Sequence, residues 1–256
     1  MGNKRFAGKS ALITGAASGI GRACARRLGS EGASLILADI NIDGAETVAS
    51  EIRATHGVSA TAIAFDAAIP VSCRNMVDRA AATLGKIDIL FNIAGVFDWN
   101  HTTDFGDDAW DHMLAVDLSS LFHISKRALP YLVATRGNIV NTASTAGLKG
   151  QAYCAAYCAA KHGVVGLTKA LSIEYAERGV RVNAVCPGGV KTALSDGLAW
   201  IDSLDPKLLA LLNSKLDGGA MAEPEEVATM FAYLASDEAR YVTGATFAID
   251  GGQTAG

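Results

Sequence analysis

The stretch Tyr153-Cys154-Ala155-Ala156-Tyr157-Cys158-Ala159-Ala160-Lys161 sets two tyrosines and a lysine at successive intervals of four. On a helix, residues i and i+4 share a face, so Tyr157 can pair with Lys161 and Tyr153 with Tyr157. An ammonium beside a phenol favours the phenolate and lowers a pKa that is ordinarily about 10. A phenol tuned in this way can take or return an alcohol proton as a general acid/base. Met alone, Tyr-x-x-x-Lys is better read as an ordinary amphipathic pair, so its neighbours must decide.

A second local feature is Thr14-Gly15-Ala16-Ala17-Ser18-Gly19-Ile20-Gly21, which follows an apolar run and opens a helical stretch. Glycines permit a tight turn and let a pyrophosphate approach the backbone, where a helix N-terminus offers free N–H groups and a positive dipole. Gly15, Ser18, Gly19, Ile20 and Gly21 are the expected contacts. Asp39 closes the next apolar run, near the separation at which a carboxylate meets a ribose. A carboxylate accepts from the 2′-hydroxyl of NAD and repels the 2′-phosphate of NADP. Neither Ser18 nor Ile40 supplies a compensating cation, so NAD is the expected cofactor. The competing role for Asp39 is to cap the turn before Ile40 and Asn41.

The Thr-Gly-x-x-x-Gly-x-Gly loop with a downstream Tyr-x-x-x-Lys resembles the short-chain dehydrogenase/reductase family. Asn92-Ile93-Ala94-Gly95, Ser144, Pro187-Gly188 and Asp250-Gly251-Gly252 match in order and spacing, so the resemblance covers essentially the whole chain. It implies an NAD(H)-dependent oxidoreductase that interconverts a secondary alcohol and its ketone by hydride transfer. Tyr157 is then the general acid/base, Lys161 also holds the nicotinamide ribose, and Ser144 orients the substrate carbonyl. The interval to Tyr157 selects Ser144 over Thr142 and Thr145. The resemblance further assigns Asp66 to the adenine amino group, with Ala67 beside it. Asn92, Ala94, Gly95, Pro187 and Gly188 are expected along the cofactor, and Val190 and Thr192 at the nicotinamide carboxamide.

Two positions depart from the family's pattern. Ile93 replaces the second asparagine of Asn-Asn-Ala-Gly, and Asp117 stands where the family has a catalytic-tetrad asparagine whose carbonyl holds a water next to the lysine. If only that carbonyl matters, Asp117 serves; its carboxylate can also act on the lysine or on the helix kink.

The expected substrate wall is apolar or aromatic: Val96, Phe97, Trp99, Thr145, Gln151, Tyr153, Leu194, Leu198 and Trp200. Such a lining suits a hydrophobic hydroxysteroid or alicyclic alcohol. The alternative enzyme is a 3-oxoacyl reductase acting on a carrier or coenzyme A, and the alternative of another class is a non-catalytic nucleotide-binding regulator. Family resemblance also implies a homotetramer, with Gly163, Gly166 and Ala170 permitting close helix packing.

These groups need a scaffold, and the remainder of the chain supplies its pattern. Seven β-rich apolar runs, at 11–14, 34–39, 60–65, 88–92, 137–143, 180–185 and 245–250, alternate with helical periodicities. The alternation predicts one α/β domain over 1–256. Its sheet is parallel, doubly wound (Rossmann) and seven-stranded, with helices on both faces. Glycines at 57, 85 and 179 close helices. About thirty residues intervene between Pro187 and the next helix at Glu223-Pro224-Glu225-Glu226, and a connection that long reads as a functional flap at about 189–220.

The 256 residues are 50% hydrophobic, enough for a full core, and the net charge of −4 gives no basic field for nucleic acid. No apolar run approaches the roughly 20 residues needed to span a membrane. The start MGNKRFAGKSALITG has no signal-peptide core, and five cysteines without C-x2-C pairing fit a reducing, cytoplasmic setting. Cys154 and Cys158 lie one turn apart without His or carboxylate companions, so no metal is expected there.

Overall fold

Seven strands form one wholly parallel sheet in the order β3-β2-β1-β4-β5-β6-β7. They are β1 (Ser10–Thr14), β2 (Ser34–Asp39), β3 (Ala60–Ala64), β4 (Ile89–Asn92), β5 (Asn138–Thr142), β6 (Arg181–Pro187) and β7 (Thr246–Ile249). The computed structural model describes residues 4–195 and 201–255. Registers are continuous: Leu12 pairs with Ile36 on one side and with Leu90 on the other. The order reverses at β1, whose neighbours are β2 and β4, and that reversal opens a crevice at the strands' carboxyl ends.

Helices cover both faces, which is why the strands are apolar on both sides. The connections are α1 (Gly19–Ser30), α2 (Ile42–His56), α3 (Pro70–Leu84), α4 (Asp107–Leu114), α5 (Ser120–Thr135), α6 (Ala155–Tyr175), α7 (Pro206–Ala210) and α8 (Pro224–Ala235). Ala11, Ile13, Leu35, Leu37, Ile89 and Phe91 point to the face covered by α1, α2 and α8. Their strand neighbours Leu12, Ile36, Ala38 and Leu90 point to the face covered by α3, α5 and α6. Phe91 and Phe231 of α8 meet edge-on at 5.1 Å, both fully buried, and join sheet to helix beneath the crevice.

Local signals account for the helix ends. The Asn41 side chain accepts from the Gly44 N–H to start α2, and Gly57 ends it in the left-handed region. A reciprocal capping box between Glu223 and Glu226 starts α8. Between α4 and α5 the helical path widens into one π turn, Ala115–Ser119, a device frequent at functional sites.

β2 keeps its expected bounds, and the other strand boundaries move by one or two residues from the sequence expectation. β6 continues to Pro187 because β7 pairs alongside it there, Pro187 against Ile249. The flap carries α7, short 3-10 turns and a parallel bridge between Val190 and Ala222. It is less buried than its leucines suggested: Leu204 is 3% exposed, but Leu208, Leu211 and Leu216 are 40%, 60% and 65% exposed. Gly163, expected to serve contacts between subunits, is met within this chain by Leu118, whose Cδ2 lies 2.7 Å from where a Cβ would stand. Among the described residues no helix is long and apolar enough to cross a membrane, and no group of three or more His, Cys, Asp or Glu could hold a metal ion.

The Phe91–Phe231 contact gives a measurable stake in this packing. Phe231→Ala removes a fully buried ring and is expected to lower unfolding stability by about 3–5 kcal/mol, read from the urea midpoint.

Candidate active site

A cleft of ≈ 530 Å³ lies at the carboxyl ends of β1, β2, β4, β5 and β6, over the topological switch point. Its floor is built from loops that the strands launch. Buried Thr14, ending β1, ties two of them together: its Oγ1 accepts from the N–H groups of Ile93 and Ala94 at 2.9 and 3.1 Å and donates to Phe91 O at 3.3 Å. This holds the glycine loop against Ala94, whose backbone would stand 2.9 Å from a Cβ on Gly15. Gly15 has φ +67°, so both its conformation and its surroundings require glycine.

Gly15, Ser18, Gly19, Ile20 and Gly21 line one end of this cleft. The N-terminus of α1 has no side-chain cap and no acidic residue in its first turn, so its N–H groups and positive dipole stay available to an anion. Asp39 lines the same end, where its two carboxylate oxygens accept from the N–H groups of Ala17 and Asn41, each at 2.9 Å. Turn capping and a place at the cleft therefore coexist in one carboxylate. Asp66 and Ala67 lie beside it, Asp66 accepting from Ala68 N–H at 2.8 Å. These residues fit a dinucleotide: an open helix N-terminus for the pyrophosphate and a fixed carboxylate for a ribose diol.

At the opposite end Ser144, Tyr157 and Lys161 come together on the wall, with Ala94, Gly95, Pro187, Gly188, Val190 and Thr192 also along the cleft. Tyr157 and Lys161 stand one turn apart on α6, as their spacing requires. Ser144 Oγ accepts from Ala146 N–H at 3.1 Å, and its hydroxyl also hydrogen-bonds with the Tyr157 phenol. Lys161 is 3% exposed; its Nζ donates to Thr142 O at 3.3 Å, lies 3.8 Å from Asp117 Oδ1 and sits 5.3 Å from the centre of the Tyr157 ring. Phe97 meets that ring edge-on at 4.9 Å.

The electrostatics correct the expectation drawn from spacing. The Tyr157 phenol is pushed well above its ordinary value, first by burial and next by the Asp117 carboxylate, against a hydrogen bond with Ser144. Burial also raises Asp117, opposed by Lys161, the Val96 N–H and His112. Burial holds Cys154 up to about 12 and Cys186 up to about 11, so both are neutral thiols at neutral pH, in keeping with small core residues.

Several expected site residues lie elsewhere. Asn92 does not line the cleft: its buried amide donates to Asn141 Oδ1 at 2.8 Å and Ser125 Oγ at 3.2 Å, bracing β4 against β5 and α5. Asp117 is wholly buried behind the wall. Val96, Phe97 and Leu194 line the cleft, whereas Trp99 packs behind Phe97 at 6.2 Å. Thr145 and Gln151 are not among the lining residues and turn to each other, Gln151 Nε2 donating to Thr145 Oγ1 at 2.9 Å. Leu198 and Trp200 fall outside the described residues. Tyr153 is a brace and not a cleft wall: its hydroxyl accepts from Asp205 N–H at 2.9 Å and its ring meets His101 edge-on at 5.1 Å. The cleft also takes in Phe65, His112 and Val116, which no motif marked; the i, i+4 spacing of His112 and Val116 ahead of Asp117 was the available signal.

Residues 15–254 match the family described as Enoyl-(Acyl carrier protein) reductase. Meso-2,3-butanediol dehydrogenase of Serratia marcescens is 41% identical, over 98% of this chain and 96% of its own length. Cyclohexanol dehydrogenase of Acinetobacter sp. (strain SE19) is 40% identical, over 99% of this chain and 98% of its own. A solved short-chain dehydrogenase from Mycobacterium paratuberculosis, bound to NAD, superposes with a TM-score of 0.91 at 30% identity, covering 98% of this chain and 100% of that one. With the glycine loop on the switch point and serine, tyrosine and lysine converging on one cleft wall, the chain belongs to the short-chain dehydrogenase/reductase family.

Proposed function

We propose that this protein is an NAD(H)-dependent alcohol dehydrogenase and ketone reductase for a hydrophobic secondary alcohol of the alicyclic or hydroxysteroid type. The observation that carries this reading is one continuous cleft with an open helix N-terminus and Asp39 at one end and Ser144, Tyr157 and Lys161 at the other. Two relatives bear the names of secondary-alcohol dehydrogenases, one of them for an alicyclic alcohol, which supports the substrate class. A structural neighbour bound to NAD supports the cofactor.

Nicotinamide, when bound, supplies the hydride acceptor for oxidation and the donor for reduction. The Tyr157 phenolate takes the alcohol's hydroxyl proton in oxidation, and the phenol returns it in reduction. The Ser144 hydroxyl, beside the phenol on the same cleft wall, holds the substrate oxygen. Lys161, buried beneath the ring, stabilises the phenolate by its charge. Val96 and Phe97 present apolar surface to the substrate and exclude water from the reacting oxygen. Phe122 on α5 and Ile173 on α6, 45% and 80% exposed, support assembly into a homotetramer through these helices.

Tyr157→Phe is expected to lower turnover by roughly 10²–10⁴-fold with nucleotide binding intact. The measurement is NADH formation on a panel of steroid, alicyclic and 3-hydroxyacyl alcohols, and retained turnover overturns the acid–base assignment. Calorimetry is expected to show tighter binding of NADH than NADPH. Asp39→Ala should narrow that gap by about five- to tenfold, corresponding to about 1 kcal/mol of lost charge repulsion; equal binding in the unaltered protein refutes the cofactor choice. Light scattering at micromolar concentration is expected to give four times the chain mass, and a monomer defeats the assembly.

A further inference from the structure

Asp117 is a carboxylate at 0% exposure, and among the described residues its Oδ2 has no hydrogen-bond partner. Its Oδ1 does two things at once: it accepts from the Val96 N–H at 2.9 Å and faces Lys161 Nζ at 3.8 Å. The π turn carries this side chain behind the wall, and Gly95 leaves room for it, since a Cβ there would stand 2.7 Å from Oδ1. Val96 leads directly to Phe97, which meets the Tyr157 ring edge-on. One oxygen therefore connects the buried ammonium to the wall that contacts the phenol.

Deepening the acid–base reading given above, on which it rests, we propose that Asp117 is a positioning residue that restrains the Lys161 ammonium beneath the Tyr157 ring and ties it to the wall at Val96. Alcohol oxidation by this protein then needs a higher pH than an uncharged amide at position 117 would require. A buried cation shared with a carboxylate is less free to stabilise a phenolate, and a buried anion near the phenol disfavours a second one. The direction found for Tyr157, raised by burial and then by Asp117, agrees. The other groups facing this pair are His112 on α4, which acts on Asp117, and Ser144, Cys154 and Cys158, which act on Tyr157. The thiols act on Tyr157 in the same direction as Asp117 and rank after it.

Asn and Asp have nearly the same shape, so Asp117→Asn keeps an acceptor for Val96 N–H and removes the charge, with an amide NH2 donor in place of Oδ2. Phenolate is the form that accepts the alcohol proton, so a lower Tyr157 pKa moves the acid limb of the oxidation profile to lower pH. In Asp117→Asn the limb of kcat against pH is expected to move down by roughly one unit. Asp117→Ala also loses the Val96 acceptor and is expected to raise KM as well. A limb that stays in place or moves upward in Asp117→Asn overturns the proposal. His112→Gln should displace the limb less than Asp117→Asn; the reverse order assigns the effect to the imidazole and also overturns it. Ring-labelled tyrosine reads the same point by NMR, the Tyr157 signal being the one lost in Tyr157→Phe. Because burial alone also raises that phenol, the signal is compared with its position in Asp117→Asn or, should that variant misfold, in Asp117→Ala: it must titrate lower in the variant than in the unaltered protein, and an equal or higher titration overturns the proposal. An inactive Tyr157→Phe with an unmoved Asp117→Asn limb rejects this inference alone, whereas an active Tyr157→Phe rejects the acid–base reading beneath it.

Discussion

A lysine ammonium 97% removed from solvent must be compensated, because an isolated charge in a protein interior costs several kcal/mol. Lys161 obtains its compensation from three elements: the Thr142 carbonyl at the end of β5, the Asp117 carboxylate on the π turn, and the face of Tyr157 on its own helix. Those contacts fix how α6 sits on the sheet. Gly147, just after β5, comes so close to the helix that a Cβ would stand 2.6 Å from Lys161 O. The Tyr157 phenol and the Ser144 hydroxyl are thereby set on one wall, and the chemistry inherits its geometry from the need to satisfy one buried charge.

The other end of the cleft depends on a different economy of polar groups. Thr14 uses both functions of its hydroxyl to bind the first loop to the fourth, and Asp39 uses both oxygens to bind the first loop to the turn after β2. With these loops held by side chains, the N–H groups at the start of α1 remain unclaimed. A helix N-terminus in that condition is an anion site, and its position over the reversal of strand order is where an open parallel sheet gives room for a ligand. Tyr153 contributes from outside the cleft. Its hydroxyl reaches the flap at Asp205, its carbonyl accepts from Asn100 N–H at 3.0 Å, and its backbone takes φ +66° to do so. The flap, the loop after β4 and the approach to α6 are thus linked through one residue a turn before Tyr157.

Much of this was legible in the chain. Strand positions, the helix-closing glycines at 57, 85 and 179, the helix start at Glu223, the glycine loop and the Tyr157–Lys161 face depend on residues within a few positions of one another, so local geometry dictates them. What escaped depends on partners far along the chain. Asn92 looked like a cofactor contact, but its amide is claimed by Ser125 and Asn141. Thr145 and Gln151 looked like pocket residues and instead satisfy each other. Tyr153 looked like a pocket wall until Asp205, 52 residues later, took its hydroxyl. The strand ends shifted for the same reason, since pairing with β7 and not composition carries β6 on to Pro187.

The sequence by itself therefore determined which reactive groups exist and which of them share a helix face, because the 3.6-residue repeat is a local property. It determined the alternation of strands and helices along the chain and the glycine loop that opens α1. Only the tertiary structure decided the state of those groups. The i, i+4 spacing shows a lysine beside a phenol and argues for a lowered pKa, but burial and a carboxylate from another helix reverse that direction. Desolvation sums over every atom packed around a group, and those atoms come from all parts of the chain, so no local pattern contains it.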